Sequence, residues 1–345
     1  MTKERTFPAV KPSWSEVPSD VVERLSEVVQ GRIDYAYIAQ GGIGQSATFV
    51  VRTVDGRKFF CKGNHPALSQ EFRAGVRRER FLYKQLPELD SFRPAMQGYV
   101  ECGDWELLVL EFLDRKIPVP PWTDVTLDAC LDTLARLHAS MPSHAQRLLD
   151  DAPWLQISRA QIGWRYLADH GAELGRLCSL FVNAIEAHRW LDRYLSAFAD
   201  LEAQAADVQG PASWIHFDVR SDNLIFANHS KPTLLDWPLL SLGPVLMDVA
   251  FFLASVAGEA GPPPEEGLAV YQHKAGLRFD DHEVRVIVAT IAGFFAARAG
   301  EPPISQLPRL RALQSLYLSP CLTWISRLMK IAPPPPLKPR SLHEI

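Results

Sequence analysis

The pattern of apolar residues changes near Leu113, and this change limits the folds open to the chain. Before it, short apolar and aromatic runs alternate with turn signals. The pair Asp55-Gly56 between two such runs indicates a β-hairpin. After the proline-rich connection of residues 114–121, apolar residues recur at helical spacing. The sequence therefore predicts a β-rich lobe followed by a mainly helical one.

The positions of the elements follow from the same patterns. Strands are expected at residues 33–39, 48–52, 58–62, 95–100 and 106–112. Helices are expected at residues 69–86, 125–140, 157–170, 178–203, 281–297 and 307–329. The predicted division is an N-terminal lobe at 1–113, a helical C-terminal lobe at 114–332 and a mobile proline-rich tail at 333–345.

Bulk properties are those of an ordinary globular protein. The 345 residues carry a net charge of −4, which gives no basis for a nucleic-acid or anionic-membrane partner. The longest apolar run, residues 286–297, is much shorter than a bilayer span, and the N-terminus lacks the apolar core of a secretory signal. The five cysteines are scattered singly, as in reduced proteins. We therefore expect a cytoplasmic protein that binds neither nucleic acid nor membrane.

The stretch from Trp214 to Trp237 contains the residues best suited to chemistry. Two short apolar runs flank a loop that contains Asp218 and Asn223, and Asp236 lies at the end of the second run. Phosphoryl transfer needs one carboxylate to orient the attacking hydroxyl and accept its proton. It also needs a second carboxylate and a neutral oxygen ligand to hold Mg²⁺. The alternative interpretation is two buried strands with solvated aspartates in their turns.

The spacing of these residues resembles that of the aminoglycoside phosphotransferase family, the small-molecule branch of the protein-kinase-like fold. The pattern His-x-Asp-x-x-x-x-Asn is present as His216, Asp218 and Asn223, and a hydrophobic-hydrophobic-Asp motif ends at Asp236. The resemblance implies an α+β, bilobal fold with an antiparallel sheet and one main helix in the N-terminal lobe. It implies that Asp218 is catalytic, that Asn223 and Asp236 bind Mg²⁺, and that His216 supports the loop.

Two further features of this region favour a small-molecule kinase. Asp-Trp-Pro stands where protein kinases have Asp-Phe-Gly, and the short run from Asp236 to Asp248 leaves little room for an activation segment. Asp248 lies in a family-like stretch and is expected to brace the catalytic loop by hydrogen bonds. His138 is interpreted as a packed helix histidine.

A glycine cluster at residues 41–44 precedes the strand-like run at 48–52. A dinucleotide fingerprint would open a helix instead, so the position favours a glycine-rich β-hairpin over phosphates, with a plain turn as the alternative. The phosphate-binding positions are then Gly42, Gly44, Gln45 and Ser46.

The resemblance places Lys62 at the α- and β-phosphates of the nucleotide. Burying its ammonium is costly unless a carboxylate pairs with it, and Glu79 is the preferred partner, with Glu71 as the alternative. An exposed lysine at a strand end is the other interpretation of Lys62. The hinge backbone, including Glu111 and Leu113, is expected to bind the base of the nucleotide.

Together these residues predict a kinase that uses Mg²⁺ and ATP or GTP to phosphorylate a small-molecule hydroxyl acceptor. The family's members phosphorylate aminoglycosides, other antibiotics, choline-like alcohols, sugars and homoserine-like metabolites. Four acidic residues are candidates for attracting a cationic acceptor, or else form a solvated face: Glu265, Glu266, Asp280 and Asp281. An inactive nucleotide-binding protein and a protein kinase are the alternative functions.

Overall fold

The computed structural model describes residues 11–39, 44–141, 144, 162–208, 210–227, 231–304, 307 and 309–339. The first part of the chain forms a five-stranded antiparallel sheet with the strand order β1-β2-β3-β5-β4. Its strands are β1 (Ile33–Ile38), β2 (Ala47–Thr53), β3 (Lys58–Asn64), β4 (Met96–Cys102) and β5 (Trp105–Glu111).

The β2–β3 hairpin turns at the predicted Asp-Gly pair. Gly56 has a φ of +88°, a backbone conformation that residues with a side chain rarely adopt. The hairpin places Lys62 in a central strand, opposite Thr48 of β2 on one side and Leu108 of β5 on the other. The lysine therefore lies inside the sheet, and the interpretation as an exposed strand-end residue is wrong.

Two helices cover the two faces of this sheet. Helix α1 (Ser19–Val28) buries Val21 and Leu25 in a core with residues of β2, β3 and β5. Helix α2 (Gln70–Gln85) lies on the other face, where Tyr83 packs with residues of β5. Helix α2 corresponds to the predicted helix at 69–86, whereas α1 was not predicted.

The remainder of the chain is mainly helical. Its helices are α3 (Asp124–Ala139), α4 (Trp164–Asp169), α5 (Gly171–Ser179), α6 (Ala184–Glu202), α7 (Val245–Gly258), α8 (Pro264–Ala275), α9 (Asp281–Ala299) and α10 (Leu310–Met329). Two small antiparallel hairpins interrupt them and position the candidate site. They are β6 (Ala212–Ile215) with β9 (Ser241–Pro244), and β7 (Leu224–Phe226) with β8 (Pro232–Leu234).

Two expectations about this lobe are wrong. The helix predicted at 178–203 is two helices, because Asn183 caps a new helix: its side-chain oxygen accepts hydrogen bonds from the backbone of Ile185 and Glu186 at 3.1 and 3.2 Å. The predicted mobile tail is docked through residue 339. Its backbone pairs with Val182, whose N–H donates to Pro336 O at 2.9 Å, and part of it is buried.

Two further properties of the fold concern its cysteines and its helices. All five cysteines are free, and four of them are buried. Along the described stretches of the chain, no helix combines the length and the apolar character needed to cross a bilayer.

Candidate active site

Asp248 of α7 holds the predicted catalytic loop in place by hydrogen bonds. Its carboxylate is buried and accepts hydrogen bonds from the backbone N–H groups of His216 at 2.9 Å and Phe217 at 2.8 Å. His138 of α3 contacts the same carboxylate at 3.2 Å and Tyr271 at 2.6 Å. These partners hold the pKa of Asp248 below its usual range against the effect of burial. Asp248 therefore contacts the loop that it was predicted to brace. His138 is packed inside the protein against this carboxylate.

The backbone of the loop adopts a conformation that only such bracing sustains. Phe217 has a φ of +63°, a left-handed conformation that is unfavourable for an aromatic residue and that recurs at functional sites. His216 is fully buried, and its ring packs edge-on against Trp237 with centroids 4.6 Å apart. Its Nδ1 accepts the Asp218 N–H at 3.3 Å. His216 thus shapes the loop and has no access to solvent.

Asp218 projects from this loop between two side chains of the same motif. Its carboxylate accepts hydrogen bonds from Asn223 Nδ2 at 2.9 Å and from Arg220 Nε at 3.0 Å. Burial raises the pKa of Asp218 to about 7, although the Arg220 charge opposes this. A carboxylate with a near-neutral pKa is suited to accept a proton from a hydroxyl at physiological pH.

Arg220 is a site residue that the sequence interpretation missed. Its guanidinium is buried and pairs with Asp218 and, at 3.2 Å, with Asp222. These two carboxylates raise the pKa of Arg220 even though burial lowers it. Its position within the motif, two residues from each aspartate, was the available signal.

Asn223 and Asp236 lie at the same end of the β7–β8 hairpin. Asn223 immediately precedes β7, Asp236 follows β8, and the Leu235 N–H donates to Asn223 O at 2.9 Å. Asp236 has a φ of +67°, and Lys62 holds the pKa of its carboxylate low despite burial. The Asn223 amide nitrogen is bonded to Asp218, which leaves the amide oxygen as the ligand atom.

This pair of side chains fits Mg²⁺ chemically. In the described residues, no cluster of three or more His, Cys, Asp and Glu side chains is placed to hold a metal by itself. Mg²⁺ is usually bound by one or two carboxylates together with substrate phosphates, so an ionised aspartate and an amide oxygen are a sufficient protein contribution.

Lys62 joins the two lobes at this point. Its ammonium contacts Glu79 of α2 at 2.9 Å and also contacts Asp236 directly. Although burial disfavours the charge, both carboxylates raise the pKa of Lys62 above its usual value. Glu79, the preferred partner, is therefore in contact with Lys62; the side chain of Glu71 lies outside the described residues.

The nucleotide-binding positions that the structure describes lie just before β2 and at the end of β5. Gly44 faces open space on its Cβ side, Gln45 is buried and Ser46 is half-buried, whereas Gly42 lies outside the described residues. Glu111 ends β5, and its N–H donates to Ala95 O at 2.9 Å. Leu113 follows β5 and is half-buried.

Two more residues of the site carry no signal in the sequence. Lys11 donates from Nζ to Thr48 Oγ1 at 2.9 Å, and burial together with the nearby Lys62 charge lowers the pKa of Lys11. Glu259 is buried and accepts hydrogen bonds from Ser221 Oγ at 2.7 Å and Trp122 Nε1 at 2.9 Å. Lys11 adds a cation beside Lys62, and Glu259 anchors the loop that carries Asp218.

The acidic candidates for a cationic acceptor have other structural roles. Glu265 pairs with the exposed Arg327 at 3.3 Å. Asp280 caps α9, where its carboxylate accepts the His282 N–H at 2.7 Å. Glu266 and Asp281 lie in the first turns of α8 and α9, where negative charge favours the helix.

The comparison with protein families decides the assignment of the chain. A family model described as the phosphotransferase enzyme family matches residues 38–286, which include every element of the site except Lys11. The chain belongs to this family. The predicted resemblance and the enzyme class, a phosphotransferase with an alcohol group as acceptor, are both confirmed. No curated protein matches the chain.

Solved structures confirm the predicted α+β, kinase-like fold. A spectinomycin phosphotransferase in complex with ADP and spectinomycin is 14% identical, with a TM-score of 0.52 over 88% of this chain and 94% of that chain. An aminoglycoside phosphotransferase from Alicyclobacillus acidocaldarius is 18% identical, with a TM-score of 0.58 over 91% and 96%. A macrolide 2'-phosphotransferase type I is 16% identical, with a TM-score of 0.51 over 88% and 96%.

Proposed function

We propose that this phosphotransferase uses Mg²⁺ and ATP or GTP to phosphorylate a hydroxyl of a small molecule, with Asp218 as the catalytic base. The observation that carries the proposal is the position of Asp218. Its carboxylate accepts a hydrogen bond from Asn223, which lies beside Asp236, and burial raises its pKa to about 7. This arrangement supports Asp218 as a proton acceptor next to the two predicted metal ligands.

Each residue then has a distinct role. Asp218 orients the acceptor hydroxyl and takes its proton as the oxygen attacks the γ-phosphorus. Lys62, held by Glu79, contacts the α- and β-phosphates, and the backbone at Gly44 has room for phosphate oxygens. When bound by Asn223 and Asp236, Mg²⁺ supplies charge neutralisation for the triphosphate.

The segment after Asp236 supports a small acceptor over a protein. The Leu240 N–H donates to Trp237 O at 2.9 Å, which closes a tight turn. Strand β9 then starts at Ser241 and pairs with β6. Every residue from 237 to 247 is described and belongs to this turn, β9 or the start of α7, so none is left for an activation segment that docks a peptide.

Product detection by mass spectrometry tests the proposal. The wild-type protein is incubated with Mg²⁺, ATP or GTP and a panel of small alcohols, and products are screened for a phosphate-sized mass gain. We expect a product that depends on both metal and nucleotide. The Asp218→Asn variant should form it about 10²–10⁴-fold more slowly, the usual contribution of a general base. Equal rates for the variant and wild type would contradict the role of Asp218.

A further inference from the structure

An apolar cavity adjoins Asp218 on the side of the C-terminal helices. Its volume is about 170 Å³, and three helices each contribute one face to its wall. Met247 and Phe251 are one helical turn apart on α7, Ile291 and Phe294 lie on α9, and Leu313 lies on α10. The cavity therefore ends at the carboxylate that the proposed function assigns as base, which is where an acceptor must place its hydroxyl.

The residues that line the cavity are almost all uncharged, and this limits which acceptors can bind there. Of the 14 described residues that line the cavity, only Asp218 and Arg220 are charged, and they pair with each other at 3.0 Å. Nine of the others have purely aliphatic, thioether or phenyl side chains. A cationic group placed in this cavity would lose its hydration without gaining an unpaired carboxylate, and contact with the phenyl rings would offset only part of that loss.

The polar side chains of the wall are already engaged within the protein. The Thr290 hydroxyl donates to Val286 O at 2.8 Å within its own helix. The Gln314 side-chain oxygen accepts from Arg311 at 2.9 Å, and the Tyr317 hydroxyl donates to Glu259 at 3.2 Å. An occupant is therefore recognised chiefly by apolar contact.

The size of the cavity limits the apolar part of the occupant. An apolar cavity of about 150 Å³ is known to bind benzene, so 170 Å³ accommodates a group of about one ring. Leu239 also lines the cavity and is 39% exposed, so it lies at the rim where a ligand would enter.

We infer that the acceptor is an uncharged alcohol whose reacting hydroxyl is carried by an apolar group of about one ring, and that polycationic aminoglycosides are excluded. This inference rests on the proposed function, since it takes Asp218 to be the base. The transfer is balanced: the acceptor oxygen bonds to the γ-phosphorus, the bond to the β-phosphate oxygen breaks, Asp218 takes the hydroxyl proton, and nucleoside diphosphate leaves.

A matched pair of alcohols tests the inference. Cyclohexylmethanol and 4-piperidinemethanol have nearly the same shape, but the second carries an ammonium in its ring at neutral pH. With Mg²⁺ and ATP, we expect kcat/KM to be at least tenfold higher for cyclohexylmethanol, and no phosphorylation of kanamycin. Phosphorylation of kanamycin or of the piperidine with equal or higher kcat/KM would overturn the inference while leaving the proposed function intact.

Substitutions of residues that line the cavity distinguish the effect of its charge from the effect of its volume. Ile291→Asp adds a carboxylate to the cavity, and we expect it to reverse the preference between the two alcohols. Leu313→Phe reduces the cavity volume without adding charge, and we expect it to lower kcat/KM for cyclohexylmethanol at least tenfold. This variant provides the test if Ile291→Asp does not fold. The control is Ile185→Asp, the same change at an exposed position on α6, which should leave the preference unchanged. An unchanged preference in Ile291→Asp, together with an unchanged kcat/KM for cyclohexylmethanol in Leu313→Phe, would overturn the inference.

A measurement of alcohol binding alone distinguishes this inference from the proposed function. Ligand-observed NMR measures binding of cyclohexylmethanol to the wild-type protein and needs no phosphoryl transfer. Binding that Leu313→Phe abolishes, without any phosphorylated product, would support the cavity as an alcohol site and contradict the proposed function. If the wild-type protein neither binds nor phosphorylates cyclohexylmethanol, the inference is wrong.

Discussion

At the scale of single residues, the two aspartates of the site have opposite electrostatic environments. Burial raises the pKa of Asp218 to about 7, and the Asp236 and Asp222 charges add to this effect while the Arg220 charge opposes it. Lys62 instead lowers the pKa of Asp236 and keeps it ionised. A near-neutral carboxylate is suited to proton transfer, and an ionised one to metal binding. These environments support the two roles proposed for Asp218 and Asp236.

The pKa of Asp218 makes a prediction about pH. Its carboxylate must be deprotonated to accept a proton, so kcat/KM should fall as the pH drops through the raised pKa. Asp222→Asn removes a charge that raises this pKa and leaves Arg220 paired with Asp218 alone. The acidic limb of the pH profile should therefore move to lower pH.

Steady-state pH profiles of the two proteins measure this shift. Asp132→Asn is the control, since it makes the same charge change in an exposed ion pair on α3. A limb that stays in place, or moves to higher pH, would show that Asp222 does not set the pKa of Asp218.

At the scale of elements, helix α2 connects the sheet to the Asp-Trp-Pro turn. Glu79 contacts Lys62 of β3 and accepts the Trp237 N–H at 3.3 Å. One residue earlier, Arg78 donates to Leu240 O at 3.0 Å. The helix thus fixes the position of the turn that carries Asp236, and a movement of α2 would displace this proposed metal ligand.

Loss of the Arg78 contact tests this connection. Arg78→Ala removes a charged, partly buried hydrogen bond, and we expect it to lower stability by about 1–3 kcal/mol. KM for the nucleotide should rise because the turn is less well held. Thermal denaturation and nucleotide kinetics provide the readouts, and Lys84→Ala, at an exposed position on the same helix, is the control. If the two variants behave alike, α2 does not position the turn.

The elements also show what the sequence predicts well and what it does not. His216, Asp218, Asn223 and Asp236 were identified because one continuous loop and hairpin hold them at fixed spacing. Lys11 and Glu259 were missed because only tertiary packing brings distant segments to the site.

Secondary structure shows the same division. The β2–β3 hairpin has a local Asp-Gly signal and was predicted. The break between α5 and α6 depends on the cap at Asn183, which helical periodicity does not reveal. The pKa of Asp218 could not be predicted from the sequence, because it depends on the burial of the carboxylate in the folded protein.

At the scale of the whole molecule, one large core runs through the helical lobe and includes residues of α2. Leu82 of α2 belongs to it, together with Leu86 just after the helix, Leu134 of α3 and Trp237 of the Asp-Trp-Pro turn. The helix that positions Lys62 is therefore packed into the core of the other lobe. The proline-rich tail adds to this core through Leu337.

The tail should contribute to stability but not to chemistry. Ala332 O accepts from Trp190 Nε1 at 3.0 Å, and Lys338 N–H donates to Leu180 O at 2.8 Å. A chain truncated after Ile331 loses these bonds and the Leu337 contacts, so Tm should fall by several degrees, about 2–4 °C for each kcal/mol lost. Calorimetry measures this change. An unchanged Tm would mean that the docked tail contributes nothing to stability.

The division of roles between Asp218 and Asp236 is the central claim. Calorimetric titration of Mg²⁺–nucleotide into the wild-type protein, Asp218→Asn and Asp236→Asn tests it most directly. We predict that Asp218→Asn binds like the wild type, whereas Asp236→Asn binds at least tenfold more weakly and no longer responds to Mg²⁺. Equal losses in both variants, or in neither, would contradict the account.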